Sequence, residues 1–140
     1  MIGLKECGIK TVINLMEKEE KNYEGILFED YIPILKEMGI NTYRMAIKDL
    51  SIPTFKEMSA IIKLIDESID KNQPVYVHCW GGIGRTGTVL GCYLLKHQFV
   101  NAENVFEYIS YLKRTTPIAS RVSPETIEQM EFVHAYHRSL

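Results

Sequence analysis

The sequence predicts an α/β fold with a mostly parallel central sheet flanked by helices. Two observations carry that expectation. Short apolar, β-branched runs at residues 11–16, 42–47 and 75–77 read as buried strands. Between and after them lie stretches whose apolar residues recur at helical spacing. Strands joined by helical crossovers pair in parallel, because a tight hairpin cannot return the chain in the same direction.

Taken in order, residues 4–8 read as the tail of a helix stopped by Gly8, and residues 11–16 as the first strand. Residues 17–30 are charge-rich and read as a loop, with Gly25 as a turn. Residues 30–38 suggest a helix ended by Gly39, with Pro33 in its first turn. The second strand occupies residues 42–47, and residues 49–53 form a loop. Thr54-x-x-Glu57 is a capping box opening a long helix. Met58, Ile61, Ile62, Ile65 and Ile69 form its apolar stripe, which is core packing. Pro74 bounds the third strand, and residues 88–95 are apolar with helical spacing. Asn101 caps the next helix, with Val105, Tyr108, Ile109 and Leu112 on one face. Ser123 as cap and Pro124 at the first helical position start the last helix.

A chain of 140 residues suits one domain with one core, here residues 1–140. A formal net charge of −2 leaves no electrostatic footprint for nucleic acid or an anionic membrane. No apolar run approaches the ~18 residues that span a bilayer, and no signal-peptide pattern opens the chain. Three cysteines, an odd number, argue against a disulfide framework and for a reducing, cytoplasmic setting.

The stretch around which the chain is organised is His78–Gly87, HCWGGIGRTG. It leads from the third strand through glycines into a helix. The first N–H groups of a helix lack partners, and with the helix dipole they favour an anion, so the loop reads as a phosphate nest. Cys79 sits at the strand end, where positive potential favours the nucleophilic thiolate. Arg85 stands at the helix mouth, and its planar fork matches two phosphate oxygens. Trp80, Gly81, Gly82, Ile83 and Gly84 complete the cradle.

Other motifs fit these letters less well. Gly82-x-Gly84-x-x-Gly87 satisfies the dinucleotide-binding pattern, but the acids near the required distance, Glu103 and Glu107, lie in a helical pattern with no strand after it. A Walker loop needs a lysine after its last glycine. A rhodanese-like loop also curls around a cysteine, yet the Arg85-Thr86 pair favours phosphate chemistry.

Cys79-x5-Arg85-Thr86, with His78 before and Gly87 after, resembles the signature of the protein tyrosine phosphatase superfamily, in its compact dual-specificity-like branch. The resemblance implies a phosphatase-like fold and phosphomonoester hydrolysis through a cysteinyl-phosphate. Further strands usually precede residue 11 in that family, so a short version or a fragment is expected. A parallel sheet places its site at the carboxyl ends of its strands, where the loops at 17–30, 49–53 and 80–84 should meet. Asp49 is then the partner of Cys79, and it matches the family's general acid; its other reading is a turn or pre-helix acid. Asp30 and Asp66 are poorer candidates. The resemblance also implies that the Thr86 hydroxyl bonds the leaving sulfur. His78 orients the loop or is a plain core histidine. Gln129 either helps place water or the loop, as in some family members, or is a solvated helix residue. Arg121 supports the same loop. Cys92 reads as inert core, and Cys7 has no assigned role.

No metal or cofactor is expected; His134 and His137 lack a third ligand and read as surface residues. The loop at 17–30 carries six acids against two lysines, and the cradle contains no lysine. Both features favour a singly phosphorylated peptide, phosphotyrosine first, over a polyphosphate. Phosphoserine and phosphothreonine proteins are further candidate substrates, and phosphate-like oxyanions are expected inhibitors. The alternatives are an inositol-phosphate or phosphoinositide phosphatase, and a phosphate-binding module without turnover.

Overall fold

A computed structural model describes residues 2–21 and 31–140. The elements run α1 (Ile2–Glu6), β1 (Thr11–Asn14), α2 (Ile32–Glu37), β2 (Asn41–Arg44), α3 (Phe55–Asp70), β3 (Val75–His78), α4 (Arg85–Lys96), α5 (Val105–Leu112) and α6 (Ile127–Arg138). The three strands form one parallel sheet in the order β2-β1-β3. Asn14 at the end of β1 pairs with Arg44 on one side and His78 on the other. The chain segments leaving all three strands therefore emerge side by side.

Alternation along β1 divides the core into two layers. Val12 points to a small cluster with Leu35 and Ile40, covered by Leu4 and Ile9. Ile13 points to the main core, where Leu15, Met58, Ile61, Val89, Cys92, Ile109 and Val133 meet. Helix α4 is the hub of that side and packs against α3, α5 and α6. A central strand covered on both faces explains why β1 reads as a continuous apolar run rather than an alternating one.

Several boundaries differ from the expectation. β1 ends at Asn14 because the Asn14 side chain turns back to accept a hydrogen bond from Met16 N at 2.9 Å. β2 ends at Arg44, yet Met45 N and Ile47 N still donate to Asn14 O and Leu15 O, both at 2.9 Å. That continued pairing is why the apolar pattern runs to 47. The capping box at Thr54 and Glu57 is present. At the far end of α3, Ile69 is exposed and Ser68 is buried, so the stripe stops at Ile65. Asn101 caps a turn rather than the helix, accepting from Glu103 N and Asn104 N at 3.1 Å. α5 follows, with Val105 and Ile109 buried and Tyr108 and Leu112 exposed. The last helix starts three residues later than Pro124. Its cap is Thr126, with Gln129 closing a reciprocal capping box, because the Ser123 hydroxyl is already committed to Ile83 O at 2.6 Å. Pro33 does lie in the first turn of α2, and Gly39 follows it at φ 75°. Gly25 and Asp30 lie outside the described residues.

Candidate active site

The loop of residues 79–84 connects β3 to α4, which opens at Arg85 with Gly84 as its N-cap residue. Gly82 takes φ 73°, a conformation that disfavours any side chain, and this lets the loop curl. The loop is braced from the opposite side. Ser123 Oγ donates to Ile83 O, and Thr88 Oγ1 donates to Gly84 O at 2.8 Å. Gly87 lets that brace approach: a Cβ there would stand 2.2 Å from Ser123 Oγ. The Cys79 thiol is buried, and Thr86 Oγ1 donates to its sulfur at 3.0 Å.

Arg85 is 1% exposed although it begins a helix. A buried guanidinium needs counter-charge and acceptors. Glu20, just before Lys21 in the segment after β1, supplies most of both. Nη1 and Nη2 donate to Glu20 Oε2 and Oε1 at 2.5 and 2.9 Å, and Nη1 also reaches Ile47 O at 3.0 Å. Asp49 Oδ1 lies 3.3 Å from Nη2. Burial pulls the Arg85 pKa down, but the Glu20 hydrogen bond and the charges of Glu20, Asp49 and Cys79 outweigh it, so it stands above its ordinary value. Nε is buried and has no partner among the described residues. Nη1 and one N–H of Nη2 are thus spent on Glu20 and Ile47, and the Nε–H with the second N–H of Nη2, which faces Asp49, are the donors left for an anion.

Glu20, one of the six acids of the 17–30 loop, does not line the cavity but buttresses the arginine, its Oε2 also accepting from Glu17 N at 2.6 Å. Glu20→Gln is expected to lower the unfolding free energy by roughly 3 kcal/mol, because it leaves a buried cation short of its main counter-charge. Chemical denaturation read by tryptophan fluorescence checks this. An unchanged midpoint would mean that Asp49 and the backbone suffice.

Asp49 stands between β2 and α3, its carboxylate half exposed and accepting from Leu50 N at 3.0 Å. It shares a cavity of about 480 Å³ with Cys79, Trp80, Gly81, Ile83, Gly84 and Arg85. The remaining lining comes from Leu50, Ile118, Arg121 and Glu125. Of these only Arg121 was singled out from the sequence. Leu50 carries φ 63°, unusual for a residue with a side chain, beside Asp49. Arg121 Nη2 lies 3.5 Å from Glu125 Oε2.

A family described as "Polymorphic toxin system, DSP-PTPase phosphatase" matches residues 2–99. The chain belongs to that family. Among curated proteins it is 29% identical over 121 residues to protein tyrosine phosphatase domain-containing protein 1 of Danio rerio, covering 82% of this chain and 17% of that protein. It is 26% identical over 118 residues to the phosphatidylglycerophosphate phosphatase PTPMT1 of Arabidopsis thaliana, covering 84% and 33%. The chain thus spans a third or less of the length of these relatives. Among solved structures, Tk-PTP in its active form superposes with a TM-score of 0.76 at 24% identity, covering 99% of this chain and 86% of that one. That likeness shows a shared fold.

The remaining signature residues of this phosphatase family member are placed as follows. Gln129 is fully buried, which excludes the solvated reading. Its Oε1 accepts from Glu125 N and Thr126 N at 3.0 and 3.1 Å, and its Nε2 donates to Ser51 O at 3.2 Å. It therefore ties the Asp49 loop to the segment that braces the cradle. Asp66 pairs with His97 at 2.8 Å, far along α3 from its start. Cys92 is buried in the core, and burial pushes its thiol pKa far up; Cys7 is exposed. His134 and His137 are both half-buried rather than on the surface, His134 packed edge-on against Phe106. Among the described residues no group of three His, Cys, Asp or Glu is placed to hold a metal, and no helix is long and apolar enough to cross a membrane.

His78 is half-buried, bonded through Nε2 to Tyr31 Oη, with Nδ1 3.2 Å from Cys79 O. Desolvation lowers its pKa against the Cys79 backbone bond, and the charges of Arg44 and Arg85 lower it further. The folded protein thus resists protonating an imidazole that the unfolded chain protonates near pH ~6.5. Stability conferred by the neutral ring is full above that pH and is lost as the pH falls below it. His78→Gln is expected to flatten the decline of melting temperature between neutral and mildly acidic pH. Equal slopes in the two proteins would remove His78 as a cause.

Proposed function

We propose that this chain hydrolyses phosphomonoesters through a cysteinyl-phosphate intermediate and that its substrate is a singly phosphorylated peptide, phosphotyrosine first. One observation carries the reading: a single cavity presents the Cys79 thiol, bonded by Thr86, together with the buried Arg85 and the Asp49 carboxylate. A module that only bound phosphate would need neither the thiol nor the acid.

In this mechanism the Cys79 thiolate attacks phosphorus in line with the leaving oxygen. The S–P bond forms as the P–O bond to the phenol breaks, and protonated Asp49 gives its proton to the departing oxygen. The Nε–H and the second Nη2 N–H of Arg85, with the N–H groups of the loop at the start of α4, hold the equatorial oxygens as charge builds on them. Water then attacks the phosphocysteine, Asp49 takes its proton, and the thiolate leaves with the Thr86 hydroxyl donating to the sulfur. Gln129 and Glu20 act indirectly, the first by holding the Asp49 loop and the second by aiming Arg85. Positive charge comes from Arg85 and the helix start, so the chemistry calls for no metal or cofactor.

The substrate assignment rests on the walls. Leu50, Trp80 and Ile118 are apolar, and the two arginines of the lining, Arg85 and Arg121, stand against two carboxylates, Asp49 and Glu125. Such a balance suits one phosphate on an aromatic ring better than a cluster of phosphates. The three free thiols suit a reducing, cytoplasmic setting. Phosphate release from a phosphotyrosine peptide, a phosphoserine peptide, inositol hexakisphosphate and phosphatidylglycerophosphate in mixed micelles tests the assignment at physiological salt. The phosphotyrosine peptide is expected to give the highest kcat/KM. A higher value for the lipid, the class named for the Arabidopsis relative, or for the inositol phosphate would overturn it.

A further inference from the structure

Lys113 is the C-cap residue of α5, and it is buried, unlike most lysines. Its Nζ donates to the carbonyl oxygens of Ile118 at 3.0 Å, Ala119 at 3.2 Å and Arg121. An ammonium has three donors, and here each meets a backbone acceptor from one short segment. That segment, residues 114–122, contains no helix or strand. Its backbone bonds are single turns: Arg114 N to Tyr111 O, Thr116 N to Lys113 O, Ala119 N to Thr116 O and Arg121 N to Ile118 O. The carbonyls of such turns would otherwise point together and repel; the ammonium converts them into a ligand shell.

The same segment supplies Ile118 and Arg121 to the wall of the cavity. Ile118 also packs on the cradle, its Cδ1 lying 3.7 Å from where a Cβ on Gly82 would stand. Lys113 itself is not among the residues that line the cavity.

We propose that Lys113 is a positioning residue, whose ammonium shapes the wall formed by Ile118 and Arg121 and thereby sets the grip on the part of the substrate beyond its phosphate. The inference rests on the phosphatase reading given above. A small aryl phosphate is held mainly by the cradle with Leu50 and Trp80 beside its ring, whereas a peptide also leans on the wall of Ile118 and Arg121. Removing the ammonium therefore loosens the peptide and spares the chemistry.

The test is Lys113→Met, which keeps the length of the side chain and removes the donors, assayed with 4-nitrophenyl phosphate and with a phosphotyrosine decapeptide. The aryl phosphate should keep its kcat/KM within about twofold, while the peptide loses roughly tenfold, chiefly through KM. Propylammonium added to Lys113→Ala should restore the peptide KM, since it returns the missing cation to the shell. Ile118→Ala should cost less in the Lys113→Met background than alone, because both act on one wall. Equal losses on the two substrates, no loss on the peptide, additive costs or a variant that fails to fold would each overturn the proposal. Hydrogen exchange gives a readout independent of turnover: the amides of Ala119 and Arg121 should lose protection in Lys113→Met, and unchanged protection also overturns it. A wild-type protein inactive on both substrates would instead defeat the phosphatase reading, with hydrogen exchange still deciding whether Lys113 holds the segment.

Discussion

Cys79→Ser is expected to abolish phosphate release while leaving oxyanion binding measurable. The serine oxygen occupies nearly the same place, but at neutral pH it carries its proton and is a far weaker nucleophile than a thiolate. Loss of an essential nucleophile costs at least ~10⁴-fold, and the residual rate reflects the cradle alone. That cradle is untouched by the change, because Arg85 is held by Glu20, Ile47 and Asp49 rather than by the sulfur. Tungstate should therefore still raise the melting temperature of the variant. Turnover near the wild-type rate would end the covalent mechanism; loss of tungstate binding together with turnover would mean that Cys79 shapes the loop rather than attacks.

Asp49→Asn is expected to discriminate between leaving groups. A general acid is worth ~10²–10⁴-fold where the departing oxygen needs its proton, and little where the anion is already stable. The variant should lose that factor in kcat/KM, which reports the first step, on alkyl phosphates and phenyl phosphate and keep most of its kcat/KM on 4-nitrophenyl phosphate. Asparagine retains an oxygen to accept from Leu50 N and to face Arg85, so the loop should keep its shape. Equal losses across the series would return Asp49 to its other reading, a loop carboxylate that serves as a secondary partner of Arg85.

What the sequence made legible was local. A strand, a glycine loop and a helix start are contiguous letters, and so is a capping box such as Thr54 with Glu57; each is settled by atoms within one or two turns. Thr126 and Gln129 are the same kind of signal, masked by the stronger helix-start pattern of Ser123-Pro124 just before them. Ser123 could not be read correctly from its neighbours, since its hydroxyl is claimed by Ile83, 40 residues away. Glu20 is a longer-range case, 65 residues from Arg85. The parallel order places the segment after β1 directly beside the loop after β3, so a carboxylate there was within reach of the arginine. The composition of residues 17–30 showed many acids but not which one would turn inward. Lys113 gives no sequence signal at all: a lysine at a helix end is ordinarily solvated, and only the path of residues 114–122 makes it a centre.

The central claim is a covalent bond between phosphorus and Cys79. The direct measurement is rapid quenching of the enzyme in acid during turnover of a phosphotyrosine peptide, followed by mass spectrometry of the peptide that contains Cys79. The account predicts that this peptide carries one phosphoryl group and that the group is absent from Cys79→Ser. Phosphate release at the full rate with no phosphoryl group ever found on Cys79 would contradict it.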